Sequence, residues 1–153
     1  MKMLIFFITF LVDCVSCTIG QSLYPITISR LDGYIDKTGK VIIEPQFNKV
    51  FPFKNGLARV QKDSKTGFIN TTGKIVIEPL YDKATDFNDG LAAVLKDGKW
   101  AYIDDKGAEK FSVTCTNAFQ FSEGMARIQV GSNMGFIDKT GKTVLSPCIT
   151  GLP

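Results

Sequence analysis

A repeat of 34 residues runs through most of this chain and limits its fold more than any other feature. Four glycines, each inside a polar turn sequence, share this spacing without insertion or deletion: Gly39, Gly73, Gly107 and Gly141. An aromatic residue before each glycine shares it as well: Tyr34, Phe68, Tyr102 and Phe136. Self-similarity at one fixed period indicates an array of similar small units, so we predict a repeat protein.

The residues within each unit favour strands over helices. A period of this length also occurs in helical tetratricopeptide arrays, so the period alone does not decide the fold class. These units, however, combine glycine turns with runs rich in valine and isoleucine, and no apolar stripe recurs at helical spacing. We therefore predict an all-β protein.

Two turns divide each unit into three strands. The Asp-Lys-Thr-Gly sequence at 36–39 fits a type I turn closed by a left-handed glycine, and the Asp-Gly pair at 97–98 fits a two-residue type I′ hairpin. In the second unit the strands are predicted at 57–61, 67–70 and 74–78. Each unit is therefore predicted to be a three-stranded antiparallel meander.

The phase of the repeat determines where the units begin. Leu23 lies one period before Leu57, and Ile26 lies one period before Val60, so residues 23–28 are predicted to be a first strand. Because a three-stranded meander is too small to be stable alone, the units must stack. Residues 22–153 are predicted to form one domain with meanders at about 22–46, 56–80, 90–114 and 124–148, joined by connectors at 47–55, 81–89 and 115–123.

We predict an open, solenoid-like stack. A closed propeller is the alternative, but its blades usually have four strands, one more than these units supply. Aromatic residues of the connectors are expected to form the core between stacked units: Phe47, Phe51, Phe53, Tyr81, Phe87, Phe119 and Phe121.

Residues 1–20 have the features of an export leader. Lys2 supplies a short positive region, and residues 4–12 form an apolar run that is too short to cross a bilayer. Signal peptidase I cleavage after Cys17 or Gly20 would release the chain, whereas a degenerate lipobox would make Cys17 a lipidated N-terminus. Both alternatives place the protein outside the cytoplasm, in the cell envelope or the extracellular space.

Cys115 and Cys148 are the cysteines in the body of the repeat domain. An oxidising compartment would permit a disulfide between them. Cys115, however, occupies the repeat position held elsewhere by Phe47 and Tyr81, which favours a buried thiol. The sequence leaves both alternatives open.

The repeat resembles the WG repeats of bacteria. The resemblance is carried by the segment at 99–104, by the turn glycine, by the Glu-Pro pair and by a Phe-x-x-Gly-x-Ala stretch, and it covers nearly everything after the leader. At the dipeptide that names the family, no unit has tryptophan followed by glycine; the four positions read Asp32-Gly33, Thr66-Gly67, Trp100-Ala101 and Met134-Gly135. The resemblance implies a β-repeat, often found in exported or multi-repeat proteins, and supplies no catalytic residues.

No combination of residues indicates catalysis. The chain has no histidine, which excludes Ser-His and Cys-His nucleophiles and histidine metal sites. Glu44 and Glu78 occupy equivalent positions before prolines, whereas a catalytic carboxylate pair needs unlike environments. The acidic residues at 86–89 and 104–105 do not make a calcium loop. We predict that the protein is not an enzyme and needs no cofactor or metal.

The charge pattern argues against a nucleic-acid partner, because the net charge is only +3 and the lysines and arginines are scattered. Membrane contact is expected only through a lipid on Cys17. Five turn lysines could line one edge of the array: Lys37, Lys40, Lys74, Lys139 and Lys142. Protection of exposed strand edges is their preferred explanation, and contact with an acidic surface, such as lipid headgroups or cell-wall polymers, is the alternative.

These observations predict a non-catalytic, exported interaction or scaffold module whose partner, a protein or a cell-envelope component, the sequence does not identify. The alternative is a carbohydrate- or cell-wall-binding module. Its candidate sugar contacts are Tyr34, Trp100 and Tyr102, or else the aromatic residues of the connectors.

Overall fold

The computed structural model describes residues 22–147, and all fifteen regular elements in this part are β-strands. The predicted leader at 1–20, with Cys17, and the second domain cysteine, Cys148, lie outside the described residues. The strands are β1 (Tyr24–Ile28), β2 (Leu31–Ile35), β3 (Val41–Phe47), β4 (Lys49–Val50), β5 (Leu57–Lys62), β6 (Lys65–Asn70), β7 (Ile75–Tyr81), β8 (Lys83–Ala84), β9 (Ala92–Lys96), β10 (Lys99–Ile103), β11 (Glu109–Val113), β12 (Asn117–Ser122), β13 (Met125–Val130), β14 (Asn133–Asp138) and β15 (Thr143–Leu145).

The strands form four antiparallel sheets, each in chain order, which confirms the all-β repeat prediction. Sheet 1 contains β1–β3, sheet 2 β4–β7, sheet 3 β8–β11 and sheet 4 β12–β15. Sheet 1 is the predicted three-stranded meander. The other three sheets gain a fourth strand from the preceding connector, because connector backbone groups pair with the next strand; the amide of Phe51, for example, donates to the carbonyl of Arg59 at 3.1 Å.

The turns have the predicted chemistry. Asp97 and Gly98 have φ angles of 50° and 77°, as a type I′ turn requires at both positions. Gly39 has a φ angle of 85°, and its amide donates to the carbonyl of Asp36 at 3.1 Å, which closes the predicted turn. Because a left-handed conformation is unfavourable for most residues, glycine recurs here in every unit.

The sheets stack face to face in chain order. We call the face of a sheet that packs on the preceding sheet its front face, and the face that packs on the following sheet its back face. In sheet 2 the front face carries Ala58, Val60 and Ile69, whereas the back face carries Phe68 and Ile77. Three apolar cores result, between sheets 1 and 2, 2 and 3, and 3 and 4.

The stack is open within the described chain. None of the three cores combines residues of sheet 1 with residues of sheet 4. The predicted open arrangement is therefore confirmed by packing. Strand number does not support it, because three of the four sheets have four strands, as propeller blades do.

Five of the seven connector rings contribute to the cores, as predicted, whereas Phe51 and Phe119 belong to none of the three and lie beneath arginine side chains instead. The central aromatic residue of each of sheets 1 to 3 packs on a ring of the following connector, with centroid distances of 4.8 Å for Tyr34–Phe53, 4.7 Å for Phe68–Phe87 and 5.0 Å for Tyr102–Phe121. Such pairs contribute about 0.5–1.5 kcal/mol each beyond the burial of their area.

Candidate interaction surface

The three aromatic residues predicted as sugar contacts lie in the cores. Tyr34 and Tyr102 are 0% exposed and Trp100 is 6% exposed. Their polar atoms are also occupied: each tyrosine hydroxyl donates to a connector carbonyl at 2.7 Å, and the indole N–H donates to the carbonyl of Thr116 at 3.2 Å. This placement corrects the expectation that these residues face a ligand, since stacking of the next sheet covers them.

The acidic turn residues also have structural partners. Oδ1 of Asp36 accepts hydrogen bonds from the hydroxyl and amide of Thr38, which hold the pKa of this carboxyl below its usual range. At the equivalent Asp104, an ion pair with Lys110 at 2.9 Å lowers the pKa in the same direction. Among residues 22–147, no group of three or more acidic or cysteine side chains could hold a metal ion.

The turn lysines and Cys115 have different environments. All five of the lysines named above are exposed, and the explanation by edge protection stays a prediction. Cys115 is half-buried against the core between sheets 3 and 4, and burial raises the pKa of its thiol. Its pairing with Cys148 lies outside the described residues.

One arginine bridges sheets 2 and 3. Arg59, on the back face of sheet 2, lies over the ring of Phe51 with 3.8 Å between the guanidinium carbon and the ring centroid. Its Nε donates to Asp86 at 2.9 Å and a terminal nitrogen donates to the carbonyl of Ala84 at 2.8 Å, both in the following unit. Partial burial opposes ionisation of Asp86, but the hydrogen bond from Lys54 and the charge of Arg59 still lower its pKa.

Arg127 occupies the same repeat position two units later. Its guanidinium carbon lies 4.5 Å from the ring centroid of Phe119, which repeats the stacking of Arg59 on Phe51. Arg127 is exposed, and no carboxylate of the described chain forms an ion pair with it. The intervening unit has Ala93 there, whose amide donates to the hydroxyl of Thr85 at 3.0 Å.

A groove of about 630 Å³ joins these two arginines. Its lining comes from three successive sheets and their connectors: Arg59, Ala84, Thr85, Asp86, Phe119, Gln120, Ser122, Met125, Arg127 and Phe136. Because Asp86 is paired with Arg59 and Lys54, the unpaired charge in the lining is the positive charge of Arg127.

The groove opens onto the back face of sheet 4, which no other sheet of the described residues covers. Exposed or half-exposed side chains on this face are Met125, Arg127, Met134, Phe136 and Leu145, together with the polar Gln129 and Asp138. Their repeat equivalents on sheet 3 include Leu91 and Tyr102, which are buried by sheet 4. The sequence analysis missed Arg127, although its alignment with Arg59 at twice the repeat period was a detectable signal.

Within residues 22–147, no helix has the length and hydrophobicity needed to span a bilayer. Three consecutive segments match the family model of the WG containing repeat, at residues 33–65, 67–100 and 100–133, which together exceed half of the chain. No curated protein and no solved structure shows significant similarity to the chain.

Proposed function

This chain belongs to the WG containing repeat family, and on that premise we propose that it is an exported, non-catalytic interaction module that binds a protein partner. The observation that supports this proposal is the back face of sheet 4 with its groove. Apolar side chains are exposed there beside an arginine that has a stacking ring but no acidic partner in the described chain. Adjacent apolar and charged groups of this kind are typical of protein interfaces.

Arg127 indicates what the partner supplies. Arg59 shows that an arginine in this position donates to both a backbone carbonyl and a carboxylate when another unit follows it. Arginine stacked on an aromatic ring loses little further freedom on binding, which favours it as an interface anchor. We therefore expect the partner to place backbone or carboxylate oxygens against Arg127 and apolar side chains against Phe136.

A protein partner is favoured over a carbohydrate. Tyr34, Trp100 and Tyr102 are buried, and the aromatic ring nearest the unpaired charge, Phe119, is already covered by Arg127. Sugar binding needs accessible ring faces, which leaves the half-exposed Phe136 as the only aromatic lining residue of the groove that could provide one.

Photo-cross-linking in the producing cell tests the proposal. A photoreactive phenylalanine analogue at position 136 is expected to cross-link to one defined protein, whereas the same analogue at the exposed Leu80 is not. The cross-linked protein, once purified, should bind the wild-type chain and lose at least about tenfold in affinity for Arg127→Glu, as expected for an interface anchor. Binding to a glycan array or to cell-wall polymer that Arg127→Glu abolishes would overturn the choice of a protein partner.

Export and the absence of catalysis have separate tests. The mass of the chain recovered from its producing cell should correspond to cleavage after Cys17 or Gly20, or to a lipid on Cys17. An intact N-terminus at Met1 would contradict export. Turnover of any compound in a broad hydrolase and transferase panel, if retained through purification to homogeneity, would contradict a non-catalytic role.

A further inference from the structure

The described chain carries two uncovered sheet faces, one at each end of the stack. At one end is the back face of sheet 4. At the other is the front face of sheet 1, whose exposed or half-exposed side chains are Tyr24, Ile26, Ile28, Ile35 and Val41. We propose that these two faces bind each other between copies of this chain, so that it associates head to tail.

The front face of sheet 1 has the pattern of faces that are buried elsewhere in the stack. One repeat period later, Tyr24, Ile26 and Ile35 correspond to Ala58, Val60 and Ile69, which are at most 1% exposed beneath sheet 1. The equivalents in sheets 3 and 4 are buried in the same way. In sheet 1 the same positions are apolar, yet Tyr24 is 50% exposed.

The back face of sheet 4 is its counterpart. In sheets 1 to 3 this face receives the front face of the next sheet, and the central ring packs on a connector ring. Phe136 is the equivalent ring in sheet 4, and it forms no such pair within the described residues. Leu145, which replaces the buried Ile77 of sheet 2, is 48% exposed.

The same contact is therefore made three times inside the molecule, always between a back face and a front face. A second copy offers the one surface known to fit the back face of this fold, namely a front face of the same repeat. Such an interface is heterologous, so it closes into a ring of copies or extends into a filament. This inference rests on the proposed interaction function and identifies its partner.

Two substitutions block one end each. Phe136→Glu places a charge on the back face of sheet 4, and Ile26→Glu places one on the front face of sheet 1. Leu80→Glu is the matched control, because Leu80 is 53% exposed and its repeat equivalents Gln46 and Thr114 are polar. The full chain is used, with its N-terminal processing recorded by intact mass.

The mass of the protein in solution is measured by sedimentation at protein concentrations of about 1 to 300 μM. This range is chosen because one sheet face is small for a protein interface, so a micromolar dissociation constant is expected. Wild type and Leu80→Glu should grow beyond the monomer mass as protein concentration rises; that mass is 16.8 kDa for the unprocessed chain. Each blocked variant alone should stay monomeric. An equimolar mixture of the two should form a dimer that contains one copy of each and grows no further.

Other outcomes overturn the inference. A monomeric wild type over the whole range would mean that the ends do not bind each other. If Ile26→Glu alone still dimerises, and its mixture with Phe136→Glu forms no dimer of one copy of each, then the back faces pair with each other. The head-to-tail contact would then be wrong. A monomeric wild type that cross-links through position 136 to a different protein would overturn self-association and leave the proposed function standing, whereas no cross-link at all would count against both.

Discussion

A β-carbon on Gly67 would lie 2.6 Å from the backbone nitrogen of Pro79. The reason is a bulge in β7: residues 66 and 68 of β6 pair with residues 81 and 77, so the chain around Pro79 crosses directly over Gly67. Gly33 and Gly135 make the same approach to Pro45 and Pro147. The glycine of the family dipeptide is thus required by the proline bulge on the neighbouring strand.

The third unit has neither the glycine nor the proline at the equivalent positions. Ala101 replaces the glycine, Val113 replaces the proline, and the pairing of Ala101 with Ser112 continues in regular register. Proline cannot donate a ladder hydrogen bond, so its replacement allows the two strands to pair in regular register, which leaves room for a side chain at position 101.

We predict that Gly67→Ala lowers the free energy of unfolding by about 1–3 kcal/mol, because the new methyl group must displace backbone atoms. Urea unfolding followed by circular dichroism measures the change. The variant Gly67→Ala with Pro79→Val copies the third unit and should recover at least about 1 kcal/mol relative to the single change, as expected for residues in direct contact. Equal losses in the single and double variants would contradict the proposed coupling.

The strands and turns of each unit were predictable because local signals in the sequence determine them. The Asp-Gly pair at 97–98 and the turn glycine Gly39 adopt the predicted φ angles, and the period set the strands in register. The fourth strands were not predictable in this way. β4 and β8 have two residues each, which is too short for alternation to appear, whereas β12 has six. All three lie in connectors and form because a connector runs beside the next strand.

The candidate site was less predictable, because exposure depends on which sheet covers which face. Tyr34 and Phe136 hold equivalent positions, yet one is buried by sheet 2 and the other is half-exposed on the last sheet. Arg59 and Arg127 differ in the same way: the first has partners in the following unit, whereas the second has none there within the described chain. Periodicity identifies equivalent residues but does not show which copies are covered.

Alkaline pH should destabilise the protein through Tyr34 and Tyr102. Burial raises the pKa of both hydroxyls well above the usual value near 10, and both donate hydrogen bonds that only the neutral form can make. Their contribution is complete below pH of about 10 and is lost as pH rises above it, because the unfolded chain then releases protons that the folded chain retains. The unfolding free energy should therefore fall when it is measured from about pH 8 to about pH 11.5, a range that brackets the ordinary tyrosine pKa.

The variant with Tyr34→Phe and Tyr102→Phe is expected to be less stable at neutral pH by about 1 kcal/mol for each hydrogen bond removed, and to lose much of the alkaline decline. Tyr24→Phe is the control, since Tyr24 is exposed and its change should stay within about 0.5 kcal/mol. An alkaline decline that is unchanged in the double variant would assign it to other groups.

Acid should weaken the contact between sheets 2 and 3 through Asp86. The folded-state pKa of this carboxylate is depressed, so its contribution is present above the unfolded value of about 3.9 and is lost as pH falls through the folded value. We predict that Asp86→Asn lowers the unfolding free energy by about 1 kcal/mol at pH 7 and has a smaller effect near pH 2. Arg59→Met in the same background should add less than it does alone, because the two residues share the ion pair. Additive losses would contradict this coupling.

Removal of an aromatic ring should cost more stability inside the stack than at its end. Phe121 is fully buried between sheets 3 and 4, so Phe121→Ala is expected to cost about 3–5 kcal/mol and to expose Trp100, the sole tryptophan of the chain. Phe136→Ala, on the uncovered back face, should cost less than about 1 kcal/mol and leave Trp100 shielded. Urea unfolding and acrylamide quenching of tryptophan fluorescence measure the two effects, below the concentration at which copies associate. Comparable losses in the two variants would show that the back face of sheet 4 is already covered within one chain.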